Sequence, residues 1–235
     1  MIKLYLMKIS GLEPDDIKWK KHVSPKRYEK MLSYRQKKDR ALSLGVELLL
    51  NAALQELYPG ISCPVTWGED ENGKPYLPDY PAIYFNLSHA EEFAVCALSD
   101  AALGVDIEYC ADIDGDIARS YFLSQEYEYI LGKPESECLQ AFYDLWVLKE
   151  SYMKACGAGF RLALDAFCLQ MGDRITLIQD GQIQPCSFFL TQFENYKLAV
   201  CYQGNEDASI TPLFCELQNL YLAPLQKFIN IHWLV

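Results

Sequence analysis

The order of elements along the chain predicts an α+β fold made of two similar lobes, and three observations carry that prediction. Runs with helical spacing precede runs with strand alternation in the first half, and the same order returns in the second. The strand candidate AVCAL near residue 96 is faintly echoed by LAVCY near residue 201. With 235 residues, 51% of them hydrophobic and 23% charged, the chain has enough apolar side chains for one large domain or two small ones. Identity between the halves is too low to define a repeat, so the duplication is one of element order. A division into 1–104 and 105–235 follows.

Ile2, Leu4 and Leu6 alternate with polar positions and predict an opening strand. Ser24 and Pro25 suit an N-cap and first helical residue, starting a basic helix towards Lys38. A second helix is expected from about Asp39 to Tyr58, where Leu42, Val46, Leu49, Leu50, Ala53, Leu54 and Leu57 keep helical spacing until Pro59 and Gly60. Asn72-Gly73 marks a tight turn, and three closely spaced strands follow: IYFNLSH, EEFAVCALSD and ALGVDIEY. Helices are expected over Asp116 to Phe122, from Ser124 as a capping residue to Leu131, and from about Ser136 to Cys156. Strands return in ALDAFCLQM, in ITLIQDGQI with a hairpin at Asp180-Gly181, in CSFFLTQF and in YKLAVCYQG. The apolar segment LFCELQNLYLAPLQKFINIHWLV at the end has no role assigned from the sequence.

The formal net charge of -11 argues against nucleic acid as a partner. Between Lys18 and Arg40, however, ten basic residues stand against Glu29 and Asp39, leaving that segment at +8 and the remainder at -19. Such a patch suits a compact anion such as a nucleotide phosphate, although a solvated lysine-rich face has the same composition. No run approaches the roughly 18 apolar residues of a membrane span, and MIKLYLMKISG alternates as a strand does, so no membrane association and a cytoplasmic location are expected. Nine cysteines are scattered without a CxxC pair, which indicates reduced core thiols instead of a zinc site or disulfide frame.

Two stretches concentrate charge in apolar surroundings. In FYDLWVLKESYMKACGAGF, residues 142–160, Trp146, Glu150 and Lys154 recur at i, i+4 and i+8 and so share one helix face, with Lys149 beside them. Gly157 and Gly159 stand where positive φ would end the helix. Taken alone, a Glu-to-Lys pair at this spacing is commonly surface decoration worth about 0.2–0.5 kcal/mol. Asp106 and Glu108 fall on one side of a strand, because strand side chains alternate with period two. Two carboxylates on one side of an apolar strand repel each other, and a cation between them resolves the conflict.

GKPYL at 73–77, FNLSH through GVDIE at 85–108, and LWVLKESYMKACGAGF at 145–160 together resemble the Sfp-type 4'-phosphopantetheinyl transferases. The order, the spacing and the WxxKExxxK core of Trp146 to Lys154 carry the resemblance over most of the chain. It implies two similar α+β lobes with coenzyme A in the cleft between them, phosphate and adenosine contacts in the first lobe, and metal and catalytic residues in the second. The implied reaction moves the phosphopantetheine arm of coenzyme A to a serine of an apo carrier protein, or of a carrier domain of a polyketide, nonribosomal peptide or fatty acid synthase. Magnesium, with manganese as an alternative, is the implied ion, and a monomer the implied state.

By the same resemblance, Asp106, Glu108 and Glu126 are expected to ligate the metal. Arg27, Lys30, Arg40, Ser43, Lys74, Pro75, Ser88, His89, Lys149 and Lys154 are expected to contact the cofactor. Glu150 becomes the candidate base, or the orienter of a water. Lys154 and Lys149 become phosphate-neutralising groups, and Trp146 positions them. The sequence departs from the family pattern at Leu42, where an arginine is usual. A coenzyme A or carrier-binding module without activity, and a magnesium-dependent hydrolase of coenzyme A, are the competing readings.

Overall fold

The computed structural model describes residues 1–113, 115–204, 210–217, 220 and 228–230. In chain order its strands are β1 (Ile2–Lys8), β2 (Gly68–Glu69), β3 (Pro75–Tyr76), β4 (Tyr84–Ala90), β5 (Phe93–Ser99), β6 (Leu103–Tyr109), β7 (Cys168–Gln170), β8 (Thr176–Gln179), β9 (Gln182–Ile183), β10 (Cys186–Phe193), β11 (Tyr196–Gln203), β12 (Pro212–Cys215) and β13 (Phe228–Asn230). The helices are α1 (Pro25–Ser33), α2 (Lys37–Leu57), α3 (Gly115–Tyr121), α4 (Ser124–Leu131) and α5 (Glu135–Cys156). The mixture of helix and largely antiparallel sheet is the α+β class expected from element order.

Contacts divide the chain into two compact units, the first comprising Met1–Asp70, Pro75–Asp100 and Ser209–Val235, the second Glu71–Lys74 and Ala101–Ala208. The units therefore run differently from a single break at residue 104. In the first unit the sheet order is β13-β12-β1-β5-β4, and β12 joins it by pairing in parallel with β1, Leu4 opposite Pro212. The closing apolar segment thus contributes β12 and β13 to this sheet; residues 218–219, 221–227 and 231–235 of it lie outside the described residues. α2 covers one face, and Gly45 permits the approach: a Cβ there would lie 2.9 Å from Ile9 Cγ2 and 3.4 Å from Met7 Cε. The basic stretch is two helices, not one. α1 stops at Ser33, Tyr34 is extended, and Lys37 and Lys38 open α2.

In the second unit β6, β11 and β10 form an antiparallel sheet with β11 in the middle, and α5 packs across β6 and β11. β6 therefore does not extend the β4–β5 hairpin, although the three follow one another in sequence. The echo between AVCAL and LAVCY has a structural counterpart: Cys96 on β5 lies in the core with α2 residues, and Cys201 on β11 in the core with α5 residues. Asp180 (φ 52°) and Gly181 (φ 72°) make the expected hairpin between β8 and β9.

Candidate active site

α5 is long enough to span the sheet beneath it, and its ends are fixed by local chemistry. Pro134 precedes the helix, Glu135 and Glu137 sit in its first turn, and Gly157 in the left-handed region (φ 68°) closes it. The side of β6 that faces α5 carries Gly104, Asp106 and Glu108, each at the period-two interval; Lys197, Ala199 and Cys201 lie opposite them on β11. At Gly104 helix and strand touch backbone to backbone: an added Cβ would be 2.1 Å from Ser151 O and 2.3 Å from Ala155 N. From there the helix and strand run in opposite chain directions, so later strand positions meet earlier helix positions. Lys154 Nζ bonds Asp106 Oδ1 at 2.6 Å, the Trp146 side chain donates to Glu108, and Asp144 Oδ1 holds Lys197 Nζ at 2.6 Å. The face seen in the sequence is thus turned inward onto the carboxylates of β6, and the surface-pair reading is set aside.

Electrostatics show how crowded this face is. Burial, and then the charge of Asp106, push the Glu108 carboxyl from its ordinary 4.5 to about 7, with Glu150 adding to the rise and Lys154 and Trp146 opposing it. Burial and Asp106 also raise the Glu150 carboxyl, against Lys154. Because folding raises the pKa of Glu108, the folded chain binds more protons than the unfolded chain between about pH 4.5 and 7, and stability falls as pH rises through that window. At about 1.4 kcal/mol per pKa unit the penalty above pH 7 approaches about 3 kcal/mol. Glu108→Gln, which keeps an acceptor for Trp146, is therefore expected to melt several degrees above the wild type at pH 8 in metal-free buffer. That advantage should vanish by pH 4.5, and a pH-independent difference would contradict the assignment.

Glu126 and Lys149 meet each other instead of joining this cluster. Glu126 Oε1 accepts from Lys149 Nζ at 2.8 Å and from Leu169 N at 2.7 Å, while Oε2 accepts from Leu123 N at 3.1 Å. Lys149 Nζ also donates to Leu164 O at 2.6 Å and Phe167 O at 2.7 Å, and lies 4.3 Å from the Phe167 ring centroid. Both side chains are wholly buried. Glu126 also closes the start of α4, whose cap is Leu123 and not Ser124. The carboxylate standing with Asp106 and Glu108 is thus Glu150, and Glu126 and Lys149 tie α4 and α5 to the 164–169 loop. Trp146 belongs to an aromatic group with Tyr121, Phe122 and stacked Phe142 at 5.6 Å.

The first-unit residues divide by setting. Arg27 is buried against Glu47, whereas Lys30 is exposed as a residue but partly desolvated at its ammonium, which, with the charge of Arg27, lowers its pKa. Arg40 donates to Tyr34 O, Arg35 O and Asp15 Oδ2, yet its buried Nε has no partner among the described residues; nor does the buried hydroxyl of Ser43, one turn on. Leu42 lies in the apolar core, so the position where an arginine is usual faces inward here. Ser88 is buried and His89 exposed on the edge strand β4, and Pro75 begins β3. Lys74 belongs to the second unit, where its Nζ caps α5 through Ala155 O at 2.5 Å and reaches Leu103 O at 3.3 Å.

Oxygen-only donors under mutual repulsion suit a hard divalent cation, which favours carboxylate and phosphate oxygens. Asp106, Glu108 and Glu150 therefore fit magnesium in kind. Among the described residues no three His, Cys, Asp or Glu side chains already form a metal-holding group. A cavity of about 460 Å³ at the end of α5, lined by Tyr152, Cys156, Cys186, Cys201 and Tyr202 among others, contains none of these carboxylates. Gly104, Glu47 and the Asp144–Lys197 pair escaped the sequence reading. The glycine two residues before Asp106 in GVDIE, on the same side of the strand, was the available signal for the first.

Carboxylates paired with a lysine across a close helix–strand contact are groups of the kind that can handle phosphate charge. The particular family follows from comparison. A profile of the 4'-phosphopantetheinyl transferase superfamily matches residues 102–201. The chain is 31% identical over 213 residues to 4'-phosphopantetheinyl transferase Sfp of Bacillus subtilis (strain 168), covering 83% of this chain and 92% of that protein. It is 32% identical over 206 residues to 4'-phosphopantetheinyl transferase gsp of Aneurinibacillus migulanus, covering 86% of each. A likeness to the Thermotoga maritima holo-[acyl-carrier-protein] synthase, with TM-score 0.39, 15% identity, and 47% of this chain and 67% of that chain covered, is too loose to argue from. The chain belongs to the 4'-phosphopantetheinyl transferase superfamily.

Proposed function

We propose that the protein transfers the 4'-phosphopantetheine arm of coenzyme A to a serine hydroxyl of an apo carrier protein or carrier domain, releasing 3',5'-adenosine bisphosphate. The carrying observation is the contact of Lys154 with Asp106, with Glu108 and Glu150 beside it, in a member of this family. In the transfer the serine oxygen bonds to the β-phosphorus, the bond from that phosphorus to the bridging oxygen breaks, and the serine proton must leave. Glu150, whose carboxyl is held above its ordinary range by burial and by Asp106, takes that proton. Lys154 gives up Asp106 and donates to the diphosphate, where negative charge develops.

Asp106 and Glu108, with Glu150 adjoining, would hold magnesium, or manganese in its place, and a bound ion supplies further neutralisation of the diphosphate. Glu126 and Lys149 serve this site by fixing α5, and Trp146 by orienting Glu108. Arg27, Lys30, Arg40, Ser43, Ser88 and His89 are assigned to the phosphates and adenosine, with Pro75 and Lys74 at the adenosine. Retention of Asp106, Glu108, Glu150 and Lys154 together disfavours an inactive binding module. Among the described residues no helix is long and apolar enough to cross a membrane. The chain incubated with apo carrier proteins, coenzyme A and magnesium should add the phosphopantetheine mass to a carrier. No addition across acyl, peptidyl and aryl carriers would count against the reading.

A further inference from the structure

Glu47 on α2 takes no part in the chemistry above, yet its wholly buried carboxylate gathers four donors. Oε1 accepts from Ser24 N; Oε2 accepts from Trp67 Nε1 at 2.7 Å, Ser24 Oγ at 3.1 Å and Arg27 Nε at 3.2 Å. A carboxylate so far from water costs several kcal/mol unless it is neutralised and hydrogen-bonded, and this one is both. Ser24 is also the cap of α1, its Oγ accepting from Arg27 N at 3.2 Å, so the first turn of α1 is fastened to α2.

The consequence falls on Arg27. Its side chain is 9% exposed, its Nε is committed to Glu47, and its Cζ lies 5.1 Å from the Trp67 ring centroid. The two Nη nitrogens have no hydrogen-bond partner among the described residues. A guanidinium held at Nε and against a ring keeps its plane, and its remaining edge carries two parallel N–H groups that match two phosphate oxygens. Glu47 cancels the charge of Arg27, and Lys26, 4.3 Å from the Trp67 ring centroid, is itself paired with Glu69 at 3.0 Å, so attraction for an anion comes from Lys30, one turn along α1.

We propose that Glu47 is a positioning residue for cofactor binding: by holding Arg27 Nε it presets the guanidinium as a bidentate clamp for a phosphate group of coenzyme A. The proposal rests on coenzyme A being the substrate. Presetting removes ordering cost from binding and leaves the chemical step alone, so the effect belongs in KM and not in kcat.

The test is a double-mutant cycle of Glu47→Gln and Arg27→Ala, followed by coenzyme A calorimetry and by steady-state transfer. Glu47→Gln should raise both Kd and KM for coenzyme A about tenfold while kcat changes less than about twofold. The double variant should bind no worse than Arg27→Ala alone. Additive losses, or a loss in kcat with KM unchanged, would overturn the proposal. If Glu47→Gln does not fold, Arg27→Lys replaces it, since an ammonium pairs with Glu47 but offers no fork. It should also weaken coenzyme A binding about tenfold at constant kcat, and unchanged affinity would overturn the proposal. Failure of the wild-type chain to bind coenzyme A would instead overturn the functional reading itself.

Discussion

Gly104→Ala is expected to cost at least about a hundredfold in kcat/KM, because the added methyl has nowhere to go. Its Cβ would stand 2.1 Å from Ser151 O, 2.3 Å from Ala155 N and 2.8 Å from Lys154 C, all backbone atoms in the last turns of α5. No side-chain rotation relieves such contacts. The helix end must move by roughly 1 Å, and displacement of that size at a reacting centre can cost about 10²-fold. The residues that move are Lys154 and its neighbours, so the 2.6 Å contact with Asp106 is lost with them. Overpacking adds about 1–3 kcal/mol of destabilisation or more. Thermal melting together with transfer kinetics checks both parts, and an alanine variant with normal kcat/KM would show that the helix–strand contact does not set the site.

Glu150→Gln is expected to lower kcat by about 10²–10⁴ while leaving coenzyme A affinity within a few-fold. The amide keeps the size of the side chain but cannot accept the serine proton, and positioned proton transfer contributes about that range. It also removes one of the charges that raise Glu108, so the variant should fold at least as stably as the wild type near pH 8. Loss of activity in this variant therefore cannot be put down to unfolding. Near-normal turnover would remove Glu150 from its role as proton acceptor.

The locally encoded features were legible in the chain. The helical stripe around Trp146, Glu150 and Lys154, the glycine that ends it and the period-two placement of Asp106 and Glu108 all follow from spacing. Features that depend on distant partners were not. Glu126 and Lys149 are 23 positions apart and chemically indistinguishable from site residues until the fold joins them at 2.8 Å. Arg27 appears as one of ten basic residues, and only the fold separates it from the solvated lysines by burying it against Glu47. The parallel pairing of β12 with β1 links the two ends of the chain, and alternation gives a strand's faces but not its neighbours. Gly104 was passed over because a glycine within a strand pattern carries no chemistry of its own; its meaning is the backbone above it.

The most direct test of the inward-facing charged surface of α5 as the seat of transfer is the intact mass of an apo carrier protein. It is incubated with coenzyme A, magnesium and either the wild-type chain or Glu150→Gln, with coenzyme A binding measured on both. The wild type should convert the carrier by one phosphopantetheine, while the variant leaves it unmodified yet still binds coenzyme A. Equal conversion by the two proteins would contradict the account.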